Sequence, residues 1–166
     1  MILKIETERT LLRQIKLSDL DNIAELNSDP EVRKFFPDGT QNREQTAERL
    51  KEFISFYKTK GLPGFVILDK KSGEFLGRCG FGPLDTGEVE VGYLIVKKLW
   101  GKGYASEVLN ALLSWSKNNI NKDYILAFAP LNHKASHRVM EKSGMEYYKT
   151  GFGHGVECKF YKMQNK

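Results

Sequence analysis

A change of period in the middle of the chain most limits what it can fold into. Residues 88–96, EVEVGYLIV, are short, β-rich and alternating, whereas Ala105, Val108, Leu109, Leu112 and Trp115 follow at i, i+3, i+4, i+7 and i+10. A strand must therefore hand over to an amphipathic helix within a few residues. Gly101 and Gly103 stand at that step with Lys102 between them. Inside regular structure each would cost roughly 0.5–1 kcal/mol relative to alanine, so their place is the junction itself.

The flanking segments extend the pattern. RTLLRQI (9–15) reads as a strand, and SDLDNIAELN as a helix opened by a Ser18/Asp21 capping box. DPEVRKFF (29–36) reads as a further helix with Asp29 as N-cap and Pro30 at its first position. From Asn42 to Lys60, Ala47, Leu50, Phe53, Ile54 and Tyr57 share a helical face, and Gly61 stands where a C-terminal cap belongs. GFVILD (64–69), EFLGRCGF (74–81) and EVEVGYLIV read as an antiparallel meander. DYILAFA (123–129) reads as a strand covered on both faces, NHKASHRVMEKSGM as a helix between Asn132 and Gly144, and the last segments as a hairpin. No repeat or linker divides residues 1–166, so the expectation is one α/β (α+β) domain, a single central mixed sheet flanked by helices.

Charge and cysteines narrow the function. Lys and Arg number 26 against 21 Asp and Glu, a net charge of +5, compatible with a solvated surface or with a patch for a polyanionic ligand. No nucleic-acid module is recognisable, so no nucleic-acid partner is expected. Cys79 and Cys158 form no CxxC pair, which argues against a disulfide framework or zinc ribbon and suits a reducing compartment. The N-terminal MILKIETERT meets charge too early for a signal peptide, and no apolar run approaches the roughly 20 residues of a membrane span. The expectation is a cytoplasmic protein with no membrane partner, monomer or homodimer.

The glycine step has a chemical reading. A helix N-terminus presents unpaired N–H groups and about half a positive charge, and glycines let an anion reach the main chain. Residues 101–106 are therefore a candidate phosphate or pyrophosphate cradle, with Lys98 and Lys102 adding charge; the plainer reading is a tight turn. The step is not a Walker A loop, because Tyr104 follows Gly103, nor a G-x-G-x-x-G fingerprint, because Ser106 occupies the third glycine's place.

KLWGKGYASEVL resembles the acetyl-CoA pyrophosphate motif of the GNAT N-acetyltransferases, Q/R-x-x-G-x-G/A, with Lys98 in the Q/R place. TERTLLRQIKLSDLDNIAELNSDPEVRKFF is similar to the opening of the branch containing ribosomal-protein N-terminal acetyltransferases. NHKASHRVMEKSGM resembles that branch's N-x-x-x-S…E-K-x-G-F segment, with Met145 for Phe. The resemblance implies a GNAT fold whose mostly antiparallel sheet splays at the cofactor site, and an acetyl-CoA-dependent N-acetyltransferase acting on a primary amine in a ternary complex. A non-catalytic acyl-CoA-binding module is the alternative.

Further roles follow from that resemblance. The main chain of Leu94 and Val96 would hold the pantetheine arm, and the amides of Gly101, Lys102, Gly103, Tyr104, Ala105 and Ser106 the pyrophosphate. Asn132 and Ser136 would sit beside the arm, with Asn132 also a plain helix cap, and an N–H near Val96 would meet the oxyanion. Glu88 and Glu90 alternate with valines and so share a strand face. Glu90 ranks first as general base for the attacking amine and Glu88 second, against the bland reading of surface pairs. The family's usual acid, a tyrosine, is replaced by Met140, leaving Ser136 or solvent as proton donor. His133 and His137 have metal-ligand spacing, but Lys134, Ala135 and Ser136 between them bring no glutamate and put a cation beside the site, so no metal is expected. Lys134, Arg138 and Lys142 form a basic stripe that suits either the CoA 3′-phosphate or solvent. The acceptor pocket would involve Phe35, Phe36, Tyr57, Phe152 and His154.

Overall fold

The computed structural model describes residues 2–166. Eight strands form one sheet: β1 (Lys4–Glu6), β2 (Thr10–Gln14), β3 (Gly64–Asp69), β4 (Phe75–Pro83), β5 (Val89–Ile95), β6 (Tyr124–Pro130), β7 (Glu146–Gly153) and β8 (Val156–Gln164). Four helices pack with it: α1 (Leu20–Asn27), α2 (Arg43–Lys60), α3 (Tyr104–Asn119) and α4 (Lys134–Lys142). The strand order is β1-β2-β3-β4-β5-β6-β8-β7, and every neighbouring pair is antiparallel except β5 and β6. This is the mixed, mostly antiparallel sheet expected.

The main core lies between the sheet and α3. Val108, Leu109, Leu112 and Leu113 are buried against Phe65, Ile67, Phe81, Val89 and Val91. Trp115 closes it with its ring 6.2 Å from Phe65 and 5.7 Å from Phe81. On the opposite face, α1 and α2 bring Ile23 and Leu50 onto Ile15 and Val66. β6 is sandwiched, with Ile125, Ala127 and Ala129 in the main core and Leu126 packed on Cys158 and Phe160.

Three local expectations are corrected. The strand β1 was not read from the sequence; its three residues pair with Leu11–Arg13. The Ser18/Asp21 capping box does not form. Asp19 instead accepts from the Lys16 amide at 2.8 Å and from both Arg13 Nη atoms at 2.7 and 3.0 Å, so a short 3₁₀ turn precedes α1. Residues 29–36 form turns rather than a helix. Asp29 Oδ1 accepts from the Glu31 amide at 2.9 Å, a local bond that competes with helical geometry, and buried Arg33 is drawn to the Gly39 carbonyl and Asp38. The Gly61 cap, at φ +69°, forms as read, and the structure adds a capping box between Asn42 and Gln45 at the head of α2.

Candidate active site

The parallel pairing of β5 with β6 extends to a single register pair, Glu90 with Leu126. Beyond it the strands part, while β5 stays paired with β4 as far as Ile95. One edge of residues 91–95 therefore faces a gap. Strand residues present their main-chain groups alternately to the two neighbours. Val96 N–H donates to the Leu76 carbonyl at 3.0 Å, and the Leu94 carbonyl lies so near β4 that a Cβ on Gly77 would come within 2.2 Å of it. Leu94 and Val96 thus face β4, which corrects the assignment of pantetheine and oxyanion contacts to them. Tyr93 and Ile95 face the gap, and the Ile95 carbonyl already accepts from Trp100 Nε1 at 2.9 Å.

After β5 a 3₁₀ turn (Lys97–Leu99) leads to the glycine step, where Gly101 and Gly103 have φ of +76° and +85°. These left-handed conformations strain any side chain. The first main-chain bond of α3 runs from the Glu107 amide to the Gly103 carbonyl at 3.1 Å. Among the described residues no acceptor takes the amides of Gly101, Lys102, Gly103, Tyr104, Ala105 or Ser106. The loop is held from behind. Glu107, in the first turn of α3, accepts from Thr7 Oγ1 at 2.5 Å, the Arg9 amide at 2.8 Å and Arg9 Nε at 2.7 Å. Arg9 Nη1 donates to the Lys102 carbonyl at 3.0 Å, and its guanidinium lies 3.9 Å over the Tyr104 ring. Lys98 is not free for the cradle as expected: its ammonium pairs with Glu74. A positive, glycine-lined arc of open amides fits a diphosphate.

Glu90 lies on β5 beside the point of parting. Its Oε1 sits 2.8 Å from His154 Nε2, and this pairing holds the imidazole above its ordinary pKa. His154 occupies the β7–β8 turn at φ +50°, the one non-glycine residue with positive φ among those described, and its ring centroid is 5.2 Å from that of Phe128. Glu88 is engaged elsewhere. Burial pushes its carboxyl up, and hydroxyls of Thr86 (2.7 Å) and Tyr124 (2.8 Å) more than offset that, leaving it below the usual range.

On the α3–α4 side, buried Ser136 Oγ lies 2.9 Å from Tyr93 Oη, and burial pushes this phenol up to about 12. Met140 is buried in the core. Asn132 is exposed, makes no side-chain hydrogen bond among the described residues, and is not the cap of α4; His133 takes that position. His133, at the cap, and His137, within α4, serve packing. His133 stacks on Phe35 at 3.9 Å and 7°, and His137 Nε2 lies 3.2 Å from the Ala129 carbonyl. Lys134, Arg138 and Lys142 are exposed. Of the expected acceptor-pocket aromatics, Phe36 lies beneath the Arg33 guanidinium and Phe152 is 78% exposed, leaving His154 as the one bonded to Glu90.

Residues 9–146 match the sequence profile described as Acetyltransferase (GNAT) domain. The chain belongs to the GNAT family. It is an acetyltransferase, and acetyl-CoA is the family's acetyl donor. The chain is 34% identical over 151 residues to the uncharacterized protein YkkB of Bacillus subtilis (strain 168), spanning 89% of this chain and 87% of that one. It is 34% identical over 129 residues to the uncharacterized N-acetyltransferase p20 of Bacillus licheniformis, spanning 73% and 70%. In fold it is similar to RimL, a ribosomal L7/L12 alpha-N-protein acetyltransferase solved in complex with coenzyme A. The TM-score is 0.81 at 14% identity, covering 99% of this chain and 98% of that one.

The sequence reading missed Tyr93, His154 as the partner of Glu90, and the main chain of Ile95. Alternation along β5 already separates Tyr93 and Ile95 from Glu90 and Leu94. Which edge meets the gap depends on strand order, and that is a tertiary fact.

Proposed function

We propose that this GNAT protein transfers an acetyl group from acetyl-CoA to a primary amine by direct attack within a ternary complex. One observation carries the reading: six consecutive unpaired amides, Gly101–Ser106, beside the parting of β5 from β6. The amides grip the diphosphate of the donor, and the gap receives its pantetheine arm. The thioester then lies along the free edge of β5, where Ile95 N–H meets the charge developing on the carbonyl oxygen. An ammonium has no lone pair for attack, so its proton must leave first. Glu90, oriented by His154, accepts that proton directly or through water. Ser136, backed by the Tyr93 hydroxyl, returns a proton to the departing thiolate. The high pKa of Tyr93 keeps the phenol protonated and able to donate. Both cysteines are free and buried, and burial pushes each thiol up, so neither competes as an acetyl carrier and direct attack is favoured. Among the described residues no helix is long and apolar enough to cross a membrane.

Two measurements test the reading. Calorimetry on Gly101→Val/Gly103→Val should show acetyl-CoA binding weakened by at least about a hundredfold, since side chains at these φ values strain the loop and cover the amides. Unchanged affinity would sink the cradle. Glu90→Gln should keep acetyl-CoA affinity and lower turnover roughly 10²–10⁴-fold. Full turnover in that variant would leave Glu90 without its role.

A further inference from the structure

Three buried side-chain polar atoms lack a hydrogen-bond partner among the described residues: Asn27 Oδ1, Arg78 Nε and Ser143 Oγ. Only one belongs to a charged group. Arg78 is half-buried on β4, and neither a hydrogen bond nor an ion pair to any described residue engages its guanidinium. Its Nε–H is out of water without an acceptor, which is costly, while the two Nη groups are not among the buried atoms that lack a partner. The Phe53 ring, 5.1 Å from its Cζ, supplies a cation–π contact.

The sheet register shows where Arg78 stands. It is opposite Leu94, Gly80 is opposite Gly92, and Gly82 is opposite Glu90. Residues directly opposite share a face, as do alternate residues along a strand. Arg78 and Glu90 therefore occupy the same face, toward α1 and α2, with a row of two glycines between them. A Cβ built on Gly92 would meet nothing within 4 Å, so the β5 side of this row is open, whereas one on Gly80 would come 2.6 Å from the Pro63 carbonyl and the β4 side is closed by backbone. Two other arginines border the region and already have acceptors. Arg33 donates to the Gly39 carbonyl and to Asp38, and Arg49 pairs with Glu52. Glu90 bonds His154 rather than Arg78. The face thus carries a carboxylate at one end, a guanidinium without an acceptor at the other, and glycine between.

We infer that the acceptor is a primary amine that also carries an anionic group, a carboxylate or phosphate, and that Arg78 binds this group while Glu90 receives the amine. The inference rests on the acetyltransfer reading and adds the substrate class. Glu90 attracts the ammonium end of such a zwitterion, and the Arg78 fork matches the two oxygens of a carboxylate or phosphate. Burial and the neighbouring Arg33 and Arg49 pull the Arg78 pKa down only to about 10, so the group is charged at neutral pH. A polyamine or other purely cationic acceptor would leave Arg78 without a partner and would be repelled.

The test is a panel of primary amines assayed by release of free CoA thiol. Glycine, β-alanine, γ-aminobutyrate and ε-aminohexanoate vary the distance between nitrogen and carboxylate. Their amides remove the charge, ethanolamine phosphate against ethanolamine distinguishes phosphate from carboxylate, and spermidine represents cationic acceptors. Wild-type kcat/KM should favour the best anionic amine over its neutral counterpart by roughly 10- to 100-fold, the value of a charged hydrogen bond. Arg78→Met should abolish that preference, Arg78→Lys should retain part of it, and calorimetric acetyl-CoA affinity should be the same in all three proteins. Equal rates on acid and amide, or a preference that survives Arg78→Met, overturns the inference. Loss of acetyl-CoA binding in wild type would overturn the acetyltransfer reading instead. Thermal melting without added anions gives an answer that does not depend on turnover. Arg78→Met should melt at or above the wild-type temperature, because it removes an unpartnered charge; a lower melting temperature would make Arg78 a structural residue and refute its ligand role.

Discussion

Glu90 and His154 stand 64 positions apart in sequence and 2.8 Å apart in the fold. The carboxylate was legible from the strand alternation that sets it apart from Val89 and Val91. Its partner was not, because the contact requires the β7–β8 turn to reach over β6 toward β5, and nothing local to GFGHGVE encodes that reach. Sequence alone places His154 only among the pocket residues. The pairing makes a measurable statement. The imidazole is held above its usual pKa mainly by the hydrogen bond to Glu90, against the opposing pull of burial. A raised histidine contributes stability that is complete below its unfolded value, about 6.5, and is lost as pH rises through the folded value. In an NMR titration the His154 ring protons should shift at a pH above 6.5, and in Glu90→Gln the midpoint should fall back toward or below it. A midpoint indifferent to Glu90 would separate the two residues. The main-chain assignments fail for a related reason: Leu94 and Val96 follow from the family resemblance alone, whereas the edge a residue presents depends on which strand lies beside it.

At the scale of elements, period and punctuation were dependable where the chain makes its own decisions. The α2 boundaries follow from Asn42 and Gly61, and α3 begins where the glycines end. Residues 29–36 show the limit, since Asp29 and Pro30 look like a helix start yet one Asx bond and the tether of Arg33 fold the segment into turns. That segment holds Phe35 flat against His133 at the head of α4. Burial in this stack lowers the His133 pKa to about 4, with His137 adding to the effect. The unfolded chain binds this proton near pH 6.5 and the folded chain only near about 4, so acidification across that window favours unfolding. Urea midpoints should therefore fall from about pH 6.5 toward 4 more steeply in wild type than in His133→Phe, which keeps the stack and removes the titration. Parallel pH profiles would show that the ring is free to ionise in place.

For the molecule as a whole, the class of fold and the order of its elements were written in the alternation of periods. The sheet order was not, because β8 lies between β6 and β7 and only the assembled structure shows β5 parting from β6. On the proposed reading that parting receives the acetyl donor and so links stability to occupancy. A ligand present at one hundred times its dissociation constant adds about 2.7 kcal/mol, which for a chain of this size raises the melting temperature by roughly 5–10 °C. Acetyl-CoA should produce such a shift in wild type and little in Gly101→Val/Gly103→Val; an equal shift in both would move the binding site elsewhere. The buttress behind the glycine loop carries a practical consequence. Thr7 and Arg9, met within the first ten residues, fasten the head of a helix that begins nearly one hundred positions later. Trimming the amino terminus back past Arg9, or crowding it with an affinity handle, would loosen the proposed grip on the donor's diphosphate from across the sequence, so preparations differing only at that end are best compared by their acetyl-CoA dissociation rates.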